Sequence, residues 1–122
     1  MVSMTRLAQL IAKMEGFGIP GAIPTVRHNP GDLRHSPHSQ HPGGPAHAND
    51  VGTIDNDADG WADLERQLRI YANEGLTLRQ AIALYAPPTD HNDTSAYLNF
   101  VAGGLGVPPD TPMAQCLKIE GT

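Results

Sequence analysis

The stretch KMEGFGIPGAIPTVRHNPGDLR, residues 13–34, decides how the chain is read. It closes an apolar helical run and opens a segment of glycines, prolines and a compact polar turn, with Glu15 at the junction. Either this carboxylate caps and solubilises a helix end, or it is held there for chemistry. A surface Glu at that place carries a small penalty, because it faces the negative end of the helix dipole. The same dipole, with partial burial beside Met14 and Phe17, raises a carboxyl pKa, which a general acid in glycoside cleavage needs near neutral pH.

Upstream, Met4, Leu7, Leu10, Ile11 and Met14 recur at helical spacing, with Ser3 as the expected N-cap and Gly16 as the stop. Downstream, residues 16–59 hold most of the Gly, Pro and His and show no sustained period, so they read as ordered loop with a short hairpin. Trp61, Leu64, Leu68 and Tyr71 form one stripe of a second helix over residues 60–73, with Asp59 placed to cap it and Asp63 in its first turn. Thr77 and Gln80 make a capping box for a third, which ends before Pro87 and Pro88. Asp93 or Thr94 caps a fourth, carrying Ala96, Tyr97, Phe100 and Val101 and closed by the glycines at 103, 104 and 106. A fifth starts with Thr111 as cap and Pro112 at the first helical position. The expectation is a mainly α fold of about five helices, with a long Gly/Pro/His-rich loop or short β-hairpin between helices 1 and 2.

At 122 residues the chain fits one domain over residues 1–122. Thirteen glycines and eleven prolines imply short elements joined by many turns, which argues against a long-stranded sheet or extended coiled coil. With a formal charge of -5 and eight scattered Lys and Arg, there is no basic stripe for nucleic acid. A lone Cys116 excludes an intrachain disulfide and a CxxC metal site and reads as a small buried hydrophobe. The N-terminal run lacks a sustained apolar signal-peptide core, and nowhere are there about 18 consecutive apolar residues, so neither standard export nor membrane insertion is expected.

Two metal patterns were weighed on their residues. Asp55, Asp57 and Asp59 before Gly60 match the opening of an EF-hand loop, but the closing position is Arg66, and Glu65 falls one residue early. The segment reads instead as an acid-rich helix start. His35, His38, His41 and His47 have ligand-like spacing, yet Pro37 and Pro42 interrupt any helix and no HExxH pattern is present. That tract reads as a solvated loop, and neither metal nor cofactor is expected.

The order MEGFG, RHNPGDLR, DGWADLERQLRIY, GLTLRQAIALYAPPTDHNDTSAYL and LGVPPDT, spanning roughly residues 5–115, resembles the lysozyme-like peptidoglycan hydrolases of bacteria and phages, near the lytic transglycosylase and goose-type groups. The resemblance implies a small lysozyme-like domain that cleaves the β-1,4 bond of peptidoglycan glycan strands as a monomer. It makes Glu15 the catalytic acid and puts Asn29, Asp32 and Arg34 in the turn that shapes the cleft. It also makes Tyr85, Asn92, Thr94 and Tyr97 groups that contact sugar or support the acid. Such an enzyme acts in the periplasm or at the cell wall, after release, injection or as part of a larger protein.

Protonation by Glu15 leaves an oxocarbenium-like centre. A second carboxylate, Asp32 or Asp55, can activate water to quench it, or the sugar's own hydroxyl can attack to give a 1,6-anhydro product. The competing readings are a non-catalytic wall-binding or virion structural domain on the same scaffold, and a calcium or His-loop metal module.

Overall fold

The computed structural model describes residues 4–40, 51–90 and 92–121. The protein is mainly helical, with no strand among these residues.

Helix α1 runs Arg6–Glu15. Thr5 caps it, its hydroxyl accepting the Ala8 N–H at 3.1 Å. The helix starts later than its apolar spacing suggested, because Thr5 is tied from outside. Its backbone N–H and hydroxyl donate to the two carboxylate oxygens of buried Glu65, at 2.7 and 3.2 Å. Ser3, the expected cap, lies outside the described residues. At the other end Gly16 adopts the left-handed conformation (φ 91°). The Phe17 N–H reaches back to the Ala12 carbonyl at 3.0 Å and the Gly16 N–H to Lys13 at 3.2 Å. These two bonds make a Schellman termination. The sequence Glu-Gly-Phe is thus a stop signal that leaves Glu15 as the last helical residue.

The segment beyond is more structured than its lack of period suggested. A single helical turn, α2, spans Ile23–Val26 with proline near its start. The expected hairpin reduces, among the described residues, to one antiparallel bridge between Gln40 and Thr53.

Helix α3, Asp57–Asn73, begins three residues before the expected position. The cap is Asn56, whose side-chain oxygen accepts the Asp59 N–H at 2.9 Å, so Asp59 is capped rather than capping. Asp57 and Asp59 then occupy the first turn, where carboxylates suit the dipole, and Asp63 falls beyond it. Gly60 is where the Asn29–Arg34 turn rests on this helix. A β-carbon there would lie 2.1 Å from the His28 carbonyl oxygen and 2.7 Å from Pro30 Cδ.

Helix α4, Leu78–Tyr85, has the expected Thr77–Gln80 capping box and stops before the prolines. A 3-10 turn at Pro88–Asp90 leads to α5, Thr94–Leu105, capped by Asp93 and ended by left-handed Gly106. Gly103 and Gly104 sit inside α5 rather than closing it. The last turn, α6, is Met113–Cys116. Pro112 holds its cap position, one residue later than expected, because Thr111 and Pro112 are drawn into an extended pairing with Thr77 and Leu78.

The helices close around one apolar cluster that includes Leu7 and Ile11 of α1, Leu64 and Leu68 of α3, Ile82 of α4 and Val101 of α5. Each such side chain contributes about 1.5–3 kcal/mol by leaving water. Cys116 is buried in the same cluster, as its sequence reading held. Helices α1 and α5 run antiparallel and close, with a β-carbon at Gly104 falling 2.6 Å from Leu10 Cδ2. Two turns earlier on the same face of α5 lies Tyr97, brought to the end of α1. None of the described helices is long and apolar enough to cross a membrane.

Helix propensity alone makes Gly→Ala stabilising by about 1 kcal/mol inside a helix. Gly103, with open space around it, should follow that rule. Gly60→Ala should instead destabilise by about 1–3 kcal/mol, because the turn must move away. Urea denaturation of the two variants checks the opposite signs.

Candidate active site

Glu15, fixed as the last residue of α1, is more than half buried and lines a cleft of about 420 Å³. Its Oε2 accepts a hydrogen bond from the Tyr97 hydroxyl at 2.7 Å, across 82 residues of sequence. Burial raises the Glu15 carboxyl pKa, the Tyr97 bond pulls it down, and the nearby charge of Asp32 raises it again, with a net upward shift. The hydrogen-bond partner comes from α5, and Met14 beside it is 39% exposed. Burial and the Glu15 charge push the Tyr97 hydroxyl far up, so it stays a donor across the physiological range.

Behind Tyr97 stands Tyr85, the last residue of α4, with ring centroids 6.5 Å apart. Its hydroxyl donates to the Gly31 carbonyl. A β-carbon at Gly31 would sit 2.7 Å from that hydroxyl oxygen, which accounts for glycine in the Asn-Pro-Gly-Asp turn. The two tyrosines link the acid to the turn opposite it.

The turn is organised by Asn29, which is fully buried. Its amide donates to the Leu33 and Gly52 carbonyls at 2.8 and 2.9 Å and accepts the Leu33 N–H at 3.0 Å. Those bonds use its side chain on the protein itself, so Asn29 shapes the cleft wall and does not meet a ligand. Asp32 adopts the left-handed conformation (φ 54°) and lines the cleft. Its Oδ1 is buried and has no hydrogen-bond partner among the described residues. Burial raises its pKa, and Arg27 and Arg34 work against that. Arg34 also lines the cleft.

Asn92 lines the cleft too, held by donating to the Pro87 carbonyl at 3.1 Å. Thr94 donates to the Ala86 carbonyl at 2.6 Å and fixes the connection between α4 and α5. Tyr97 is buried and its hydroxyl is engaged by Glu15. Asp55, weighed as a second carboxylate, is not part of the cleft; it accepts from Gln40 at 2.7 Å.

Gln67 and Tyr71 also line the cleft, and sequence reasoning missed them as site residues. They stand four apart on α3 and so share a face. In the sequence Tyr71 belongs to the apolar stripe of this helix, and the stripe does not reveal that it is only partly buried.

The acidic run does not form an EF-hand loop, because the helix starts at Asp57. Asp57 faces His28 at 2.7 Å and Asp59 accepts from Asn56 at 3.1 Å. Among the described residues no group of three His, Cys, Asp or Glu is arranged to hold a metal ion. His41 and His47 lie outside them. Comparison with protein-family profiles, curated protein sequences and solved structures finds no match to the chain.

A carboxyl whose pKa is raised by folding is a burden above that pKa, and the burden lifts as pH falls through it. Glu15→Gln should therefore raise the melting temperature at pH 7, and the gain should shrink towards acid pH. Tyr97→Phe should move the Glu15 carboxyl pKa further up, read by NMR titration of the side-chain carboxyl.

Proposed function

We propose that the chain is a lysozyme-like glycosidase that cleaves peptidoglycan glycan strands, acting as a monomer, with Glu15 as the general acid. The observation that carries this reading is the half-buried, tyrosine-bonded carboxyl at the end of α1, facing a cleft with its proton affinity raised. The motif order that resembles peptidoglycan hydrolases supplies the substrate class.

In this mechanism Glu15 gives its proton to the glycosidic oxygen, the bond to the anomeric carbon breaks, and positive charge spreads over the ring. Tyr97 keeps the carboxyl aimed and steadies the carboxylate left behind. Asp32 is the second carboxylate in the same cleft and is the group that would take a proton from the water that attacks the opposite face. Burial raises the Asp32 pKa, and with it its affinity for a proton, while Arg27 and Arg34 offset part of that rise. Arg34 also suits the carboxylates that peptidoglycan carries.

Purified peptidoglycan digested with the wild type should release soluble fragments whose reducing ends carry one added water. Glu15→Gln should lower the rate at least about 100-fold, and Asp32→Asn by a similar factor. A 1,6-anhydro product would remove Asp32 from the mechanism while keeping Glu15. No fragments from wild type, under conditions where a control lysozyme works, would favour the non-catalytic wall-binding reading.

A further inference from the structure

Residues 33–40 form a strap whose first two residues, Leu33 and Arg34, line the cleft and whose His38 reaches α3. Its base is fixed by Asn29 and by the Gly52 N–H donating to the Leu33 carbonyl at 2.9 Å. Further along, His38 meets α3 at Asp63 and, more distantly, at Asp59.

Asp63 of α3 is only 2% exposed, and a buried carboxylate is costly unless it is paired and hydrogen-bonded. Its donors come from His38 on the strap, 25 residues earlier, and the Ser36 side chain of the same strap lies beside the carboxylate and helps to hold its pKa down. The His38 backbone N–H donates to Oδ2 at 2.9 Å, and the His38 ring Nδ1 meets Oδ1 at 2.5 Å. On the other side of the ring, Nε2 lies 3.9 Å from Asp59. The remaining ties of this strap end, Gln40 to Asp55 and to the Thr53 carbonyl, are made by an exposed side chain and a bridge away from the helix. Of these contacts, the one made to a buried side chain is that to Asp63.

We propose that His38, clamped on buried Asp63 by ring and backbone together, is a positioning residue that sets the strap and hence the wall of the cleft that carries Arg34. This rests on the glycosidase reading for its kinetic consequence, but the clamp itself is a structural claim. Glu15 and Tyr97 belong to α1 and α5 rather than to the strap, so loss of the clamp should weaken substrate binding more than the chemical step. The clamp should also respond to pH. The hydrogen bond to Asp63 is the main cause that raises the His38 pKa, with the Asp63 and Asp59 charges adding to it. Its contribution is fully present below the ordinary histidine pKa and fades as pH rises through the raised one.

The test is hydrogen exchange of the strap amides, followed by mass spectrometry, in wild type, His38→Ala and His38→Asn, together with kcat and KM on soluble peptidoglycan fragments. His38→Ala should lose about tenfold in protection over residues 33–40 with α1 and α5 unchanged. KM should rise about tenfold with kcat within a factor of two, and His38→Asn, which keeps a donor near the Nδ1 position, should recover part of both. In wild type KM should climb as pH passes the His38 pKa, and in His38→Asn it should not. Strap protection unchanged in His38→Ala overturns the proposal, as does a fall in kcat at constant KM. Lost protection alongside a wild type that cleaves no glycan upholds the clamp and sinks the glycosidase reading.

Discussion

The hydrogen bond from Tyr97 to Glu15 is the contact on which the site depends, and much of the fold serves to make it. A carboxyl at a helix C-terminus has no favourable interaction with its own helix. Here the Schellman termination at Gly16 and Phe17 fixes where the helix ends, and so fixes Glu15. Phe17 is in turn held edge-to-face on Trp61 of α3, with ring centroids 5.4 Å apart. The close approach of α5 to α1 at Gly104 then brings the tyrosine hydroxyl within reach. Burial pays out in proton affinity, since the environment that raises the Glu15 pKa is the one that excludes water from it.

The opposite wall is built from the same kind of constraint. Asn29 spends its side chain on the backbone, Gly31 admits the Tyr85 hydroxyl, and Gly60 lets the turn lie against the start of α3. Asp32 is left in a left-handed conformation with one buried oxygen unengaged. The wall opposite Glu15 therefore places a second carboxylate and a cation, Arg34, in one cleft.

What could be read in the sequence was mostly local. The Thr77–Gln80 box, the stop at Gly16 and the break before Pro87 are signals within a few residues, and each sits where expected. The start of α3 was misplaced because Asn56, Asp57 and Asp59 can all accept a backbone N–H, and spacing does not choose among them. The turn α2 has no apolar period to announce it. For the site, the pattern around Glu15 was legible, but its partners were not derivable from spacing. Tyr97 and Asp63 meet residues 82 and 25 positions away, and Gln67 lies on a helix face that polarity alone assigns to solvent.

The most direct test of the account is the pH dependence of kcat/KM on soluble peptidoglycan fragments for wild type and Tyr97→Phe. If Glu15 is the acid, the rate falls as pH rises through its pKa. Removing the tyrosine bond, which lowers that pKa, should move this alkaline limb to higher pH. An alkaline limb that stays in place, or an enzyme whose rate does not depend on a protonated Glu15, would contradict it.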